Sequence, residues 1–225
     1  MTITEAEIKL REIRAKLRKS MDGIVSTSMR EKGLKYRLNF GVNLPTLRQI
    51  ANNYDRDAIL SEMLWREDVR ELKILATLLH PIEDFSEENA HKWCAEIPNQ
   101  EIREQVCMNL FQNLPCANNL VNKWVLSDNE NIRTTAYWLF ARLIIIRSEQ
   151  IPDIDCSSVV RNAMNDLHTS AFFLRQSAVN ALKYAGRLSS ELSREILGKV
   201  KIIADSGIPA LQEVYSLLKF ELDNN

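Results

Sequence analysis

Four arginines recur along this chain, each directly after an aliphatic residue: Arg70 after Val69, Arg103 after Ile102, Arg133 after Ile132 and Arg175 after Leu174. Gln212 takes the same place after Leu211, and the five anchors lie 33, 30, 42 and 37 residues apart. Cations at such a pitch can follow a phosphate backbone, because guanidinium groups give phosphate oxygens charge-assisted hydrogen bonds. The same arginines can instead tie one repeat to the next through acids such as Asp68 and Asp128, and both uses remain open. Glu101 and Glu104 stand i,i+3 on one helix face. They have the types and spacing of an acid–base pair, or of a helix start favoured by the dipole. His91 and Cys94 are three apart, but no second ligand pair and no C-x-x-C accompanies them, so no metal and no cofactor is expected.

The elements that must position these groups read as helices. Leu72, Leu75, Ala76 and Leu79 repeat at i, i+3, i+4 and i+7, and His80-Pro81 stops that helix. No stretch alternates at period two between turn signals, so strands are not expected. Each anchor opens an apolar helix after a short polar turn, and a first helix precedes each turn at 56–65, 86–97, 117–126, 157–167 and 192–204. Ser86, Asp128 and Ser157 stand where N-caps would fall. Leu143–Ile146 reads as a buried helix end. Spacings of 30 to 42 residues are those of helix–turn–helix repeats, which cannot bury their apolar faces alone and stack. The expected fold is a single all-α domain over 1–225, a right-handed α-solenoid of about five HEAT-like helix pairs. Residues 56–225 form the repeats and 1–55 an N-terminal basic cap of two or three helices. The second helices would line the concave face.

Composition narrows the function. The 225 residues are 45% hydrophobic and 26% charged, ordinary for a soluble globular protein. The longest apolar run, Ala136–Ala141, is too short to cross a bilayer, and the charged N-terminus is unlike a signal peptide. A cytoplasmic monomer without a membrane partner is expected, with the four cysteines reduced. Residues 1–37 hold ten Lys and Arg against five acids, a net of +5, so the remainder carries −6 of the overall −1. Such asymmetry marks a patch for a polyanion or a solvated helix with ion pairs such as Glu5–Lys9. No Walker loop, G-x-G-x-x-G, H-E-x-x-H or G-x-S-x-G occurs.

Three blocks in order carry a resemblance. Gly41-Val42-Asn43-Leu44-Pro45-Thr46-Leu47-Arg48-Gln49-Ile50-Ala51 resembles a "G-V-x-x-P-x-L-R-x-I-A" signature. Trp65 followed by Glu71-Leu72-Lys73-Ile74-Leu75-Ala76 resembles "W-x-x-x-x-x-E-x-x-x-L-A", and Trp124 followed by Arg133-Thr134-Thr135-Ala136 resembles a later "W…R-R-x-A" motif. Over roughly residues 20–190 the chain is thus similar to the AlkD-like DNA alkylation repair (alkylpurine DNA glycosylase) family of HEAT-like repeat proteins. The resemblance implies excision of cationic N3- or N7-alkylated purines without flipping the base into a pocket, unlike most enzymes that act on bases. A carboxylate would stabilise the oxocarbenium-like sugar, tryptophans would pack on the deoxyribose and an arginine would hold a phosphate. A leaving group that is already cationic needs no general acid, and one preorganised negative charge lowers the barrier.

Carried over residue by residue, the family's "W-D-x-x-D" falls on Gln100-Glu101-Ile102-Arg103-Glu104, so the catalytic carboxylate would be Glu104 and the first tryptophan is Gln100. The "R-R" pair becomes Arg133-Thr134, and the last tryptophan falls on Asn180. Glu is one methylene longer than Asp, and a displacement of about 1 Å can cost roughly a hundredfold in rate. Loss of both aromatic walls makes the sugar site wetter, which weakens any electrostatic contribution. The expectation is a DNA-binding protein of alkylation repair that takes damaged duplex DNA on its concave face. Arg70, Arg103, Arg133, Arg175 and Lys183 would contact the backbone, and excision would be weak or lost. The alternative is a non-catalytic scaffold for a protein partner.

Overall fold

The computed structural model describes residues 1–223, in which thirteen α-helices follow one another. They are α1 (Ile3–Lys19), α2 (Gly23–Glu31), α3 (Leu44–Ala51), α4 (Ala58–Arg66), α5 (Arg70–Leu79), α6 (Glu87–Ala95) and α7 (Gln100–Asn109). Then come α8 (Ala117–Trp124), α9 (Glu130–Ile145), α10 (Cys156–Asp166), α11 (Phe172–Gly186), α12 (Ser190–Ala204) and α13 (Pro209–Asp223). Among the described residues the β-type pairing is one isolated bridge, Leu38 to Val69.

Side chains fix most helix starts. Thr2 and Glu5 form a reciprocal capping box on α1, the Glu5 carboxylate accepting from the Thr2 amide at 2.7 Å. Asn43 caps α3 ahead of Pro45, Asn99 caps α7 and Ser189 caps α12. Ser86 Oγ accepts from the Asn89 amide at 3.1 Å, as expected of a cap on α6. The caps expected at Asp128 and Ser157 fall instead on Asn129 and Asp155, whose side chains reach the first-turn amides of α9 and α10. The tail of α9 also departs from expectation: Leu143 is buried, but Ile145 and Ile146 are exposed.

The helices gather into two units, residues 1–90 with 97–114, and residues 91–96 with 115–223. In the first, α4 pairs with α5, α1 covers α4, and α3 and α7 flank α5. The core holds Ile13, Leu17, Leu47, Leu60, Leu64, Trp65 and Leu72, all fully buried. Each large apolar side chain so buried contributes about 1.5–3 kcal/mol. In the second, α8 packs on α9, α10 on α11 and α12 on α13, while α9 and α13 both pack against α11. In both units, therefore, first helices pair with second helices, and second helices lie against one another. This is the arrangement of stacked helical hairpins. Trp93 is fully buried, and Trp65 and Trp124 are also core residues.

The 39–43 segment is held by a buried hub. Gly41 has φ +71°, and a Cβ there would lie 2.2 Å from the Asp22 carbonyl oxygen, so only glycine fits. The fully buried Glu71 carboxylate accepts from the amides of Phe40 at 3.1 Å and Val42 at 3.2 Å. Arg70 Nη1 donates to the Val42 carbonyl at 2.8 Å.

Candidate nucleic-acid interface

In the first unit the candidate carboxylate sits one turn into α7. Asn99 caps this helix through the Ile102 amide, and Asn109 Nδ2 ties its far end to Thr77 Oγ1 on α5 at 2.9 Å. Gln100 and Glu104 are i,i+4 and share a face. Arg103 Nη1 donates to Gln100 Oε1 at 2.6 Å, and Gln100 Nε2 donates to Glu104 Oε1 at 3.2 Å. Gln100 is thus a polar relay running from a buried guanidinium to the half-buried Glu104 carboxylate. The Gln100 amide aimed at the carboxylate satisfies part of its hydrogen-bonding capacity within the fold.

Arg70 and Arg103 are 2% and 4% exposed. Arg70 Nη2 lies 2.7 Å from Glu101 Oε1, its Nε 2.9 Å from Glu101 Oε2, and its Nη1 3.1 Å from Glu71. Its partner is Glu101 on the following second helix, not Asp68, whose carboxylate accepts from the Arg37 amide. Burial opposes the Arg70 charge, but Glu101 and Glu71 outweigh it and hold its pKa above the usual guanidinium value. Tyr36 closes the same cluster. Its hydroxyl accepts from Asn99 Nδ2 at 2.6 Å, and burial pushes its pKa up to about 12. With their guanidinium groups buried and engaged, Arg70 and Arg103 present no cation to a phosphate in this arrangement.

In the second unit Arg133 grips Asp166 with two bonds of 3.1 Å from Nε and Nη2, and Tyr137 donates to the same carboxylate at 2.7 Å. Arg133 Nη1 reaches back to the Ser127 carbonyl at 2.7 Å, where the sequence suggests Asp128 as partner. Burial and Asp166 together raise the Tyr137 pKa. Arg175 repeats the backward reach, from Nη1 to the Thr169 carbonyl at 3.2 Å, but no carboxylate among the described residues pairs with it. Its Nε and Nη2 remain available. Lys183 lies 3.5 Å from Glu221, which Arg187 also contacts at 2.7 Å, and both cations sit over the Tyr184 ring.

The substituted positions behave as ordinary helix residues. Thr134 is 2% exposed and its hydroxyl bonds the Glu130 carbonyl at 2.6 Å. Asn180 is half-buried and makes no side-chain hydrogen bond with the described residues. Sequence reasoning missed two aromatics. Phe172 and Phe173, just ahead of the Leu174-Arg175 anchor, are 60% and 50% exposed at the start of α11. A signal was available: the two positions before the aliphatic anchor are polar in the three preceding repeats (Glu67-Asp68, Gln100-Glu101, Glu130-Asn131). Among the described residues no group of three or more His, Cys, Asp or Glu is placed to share a metal ion, and no helix is long and apolar enough to cross a membrane.

Comparison with known proteins agrees with this architecture. A solved structure matches with a TM-score of 0.73 at 14% identity, covering 85% of this chain and 81% of that one. It represents a family of proteins related to the HEAT-like repeat DNA glycosylases with affinity for branched DNA structures. The fold is therefore the all-α HEAT-like repeat fold. No curated protein matches the chain. The model of the DNA alkylation repair enzyme family matches residues 13–205, and the chain belongs to that family.

Proposed function

We propose that this protein binds damaged or branched DNA on the concave face of its repeats and excises alkylated bases weakly or not at all. Family membership and the likeness to a protein with affinity for branched DNA support the DNA-binding half. The observation that carries the second half is the Gln100–Glu104 hydrogen bond. The position that resembles a sugar-packing tryptophan holds an amide, and that amide donates into the candidate carboxylate Glu104.

The phosphate contacts fall to cations left accessible. On α11 these are Arg175, with free guanidinium nitrogens, and Lys183, half-buried beside Glu221. In the basic segment Arg11, Arg18, Lys19, Lys32, Lys35 and Arg37 are exposed. Arg70 and Arg133 then serve as the ties between helices that let the repeats stack, while Arg103 bonds Gln100 within α7.

The test is equilibrium binding to intact duplex, to duplex with one abasic site and to a three-way junction over a salt series, with a base-release assay on a methylated duplex. Binding with a steep negative salt slope, a preference for damaged or branched DNA, and little base release is the expected outcome. Absence of binding at low salt overturns the DNA reading and leaves a scaffold for a protein partner. Base release at the rate of an efficient glycosylase overturns the attenuated-excision reading.

A further inference from the structure

We infer that Phe172 and Phe173 form a stacking platform for an unpaired nucleobase, with Arg175 beside them for the adjoining phosphate; this rests on the DNA-binding reading above. The two rings meet edge to face, with centroids 5.3 Å apart and planes at 77°. Half or more of each side chain is open to solvent. Adjacent aromatics held in water are a cost that packing does not require here, since Leu174, Ala178, Ala181 and Leu182 already bury the inner face of α11.

The sequence sets the pair apart as well. The equivalent positions of the three preceding repeats are polar, so only this second helix opens on two aromatic rings. The surroundings supply the rest of a nucleotide site. Phe172, Arg175, Gln176 and Val179 follow one another at helical spacing along a groove of about 310 Å³ that Ala210, Glu213, Val214 and Leu217 of α13 close. Arg175 lies within one turn of both rings and keeps two nitrogens free for a phosphate. The exposed Gln176 amide can both donate to and accept from a base edge. Glu213 repels phosphate from the α13 wall and can accept from an amino group of the base. A π face for the base, a cation for the backbone and amide chemistry for the edge together describe single-stranded nucleic acid. A paired duplex keeps its bases stacked inside and offers the rings nothing. The ligand is therefore an unpaired base at a fork, gap or junction.

The test compares a forked duplex carrying unpaired bases with a fully paired duplex of equal length. The proteins are wild type, Phe172→Ala/Phe173→Ala and Phe172→Tyr/Phe173→Tyr, each checked by thermal unfolding, which exposed positions should leave unchanged. Base–aromatic stacking is worth about 1–3 kcal/mol per base, so the alanine pair should weaken forked-DNA binding about tenfold or more. Paired-duplex affinity and the salt slope should not change, because stacking releases no counterions. The tyrosine pair, which keeps the π faces, should bind the fork as wild type does. The inference is overturned if the alanine pair binds the fork normally, or loses fork and duplex affinity equally, while the wild-type protein binds DNA. If wild type binds neither DNA, the DNA-binding reading fails with it, and the exposed rings become a protein-docking surface.

Discussion

Arg70 on α5 and Glu101 on α7, 31 residues apart in sequence, are joined by a two-pronged ion pair with bonds of 2.7 and 2.9 Å. Two repeats further on, Arg133 on α9 holds Asp166 at the end of α10, 33 residues away. The recurrent arginine is thus solved twice in the same way, as a clamp between one repeat and the next. Arg133 and Arg175 also share a reach back to the carbonyl six residues earlier, which closes their own turn. At Arg175 no carboxylate among the described residues pairs with the guanidinium, and it keeps nitrogens free.

Arg70→Met should therefore be a stability mutation rather than a binding mutation. It strips the counter-charge from Glu71, which is fully buried and otherwise receives two backbone amides. Removing one partner of a buried ion pair costs about 3–5 kcal/mol. Urea denaturation should show a loss of that order, against under about 1 kcal/mol for Arg175→Met, whose side chain has no such partner. If the two losses are equal, the clamp assignment for Arg70 is wrong.

Glu104→Gln should abolish whatever base release the protein has and leave DNA binding equal or slightly tighter, since a negative charge is removed near phosphate. The converse change is more demanding. Gln100→Trp removes the amide that donates to Glu104 and supplies an apolar wall, so base release from a methylated duplex should rise. Combined with Glu104→Asp it should rise further, each step by about tenfold if roughly 1.4 kcal/mol of transition-state stabilisation returns. Single-turnover release rates decide the matter, and no gain in either variant would place the limit elsewhere.

Helical periodicity exposed the repeats, because an amphipathic helix writes its buried face into i, i+3, i+4 and i+7, and Leu72 to Leu79 does so plainly. The order of the first helices was legible for the same reason. Cap positions were legible at Ser86 but not at α9 and α10. Asn129 and Asp155 displace Asp128 and Ser157 because a cap is chosen by which side chain reaches the free amides, a matter of one residue that composition does not fix. Nor was the fate of each arginine legible. Arg70, Arg103, Arg133 and Arg175 occupy one place in the repeat, yet burial ranges from nearly complete to partial. What separates Arg70, Arg133 and Arg175 is the partner supplied by the next repeat, a long-range fact. The polarity around Glu104 was half legible: Gln100 is visible in the sequence, but not that its amide turns onto the carboxylate.

Acid should loosen the first unit through His80. Its ring is almost fully buried, Nδ1 donates to the Pro81 carbonyl at 2.7 Å, and Phe85 packs edge-on at 4.6 Å. Burial lowers its pKa, against the Pro81 bond and the opposing pull of Glu62, Asp84 and Asp57. The folded protein therefore binds this proton less readily than the unfolded chain, whose imidazole titrates near 6.5. His80 stabilises the fold above about pH 6.5, and that contribution fades as pH falls through this value toward the folded pKa. Urea midpoints between pH 7.5 and 5 should fall for wild type and fall less for His80→Gln, which cannot take up the proton. Equal slopes would remove His80 from the account.

Glu221 holds the second accessible cation of α11 in check. It lies between Lys183 at 3.5 Å and Arg187 at 2.7 Å, so a phosphate approaching either must compete with a fixed carboxylate. Glu221→Gln keeps the shape and removes the charge. DNA affinity at low salt should rise a few-fold, and the slope of affinity against salt should steepen as more counterions are released per complex. Lys183→Ala should act oppositely, weakening binding across DNA sequences and reducing the slope by about one. These charge effects fade at high salt, whereas a stacking contribution from Phe172 and Phe173 does not. Titrations of these two variants and of Phe172→Ala/Phe173→Ala at low and high salt thus separate the two kinds of contact on one helix. A Glu221→Gln protein with unchanged affinity and unchanged slope would show that DNA does not pass over this part of α11.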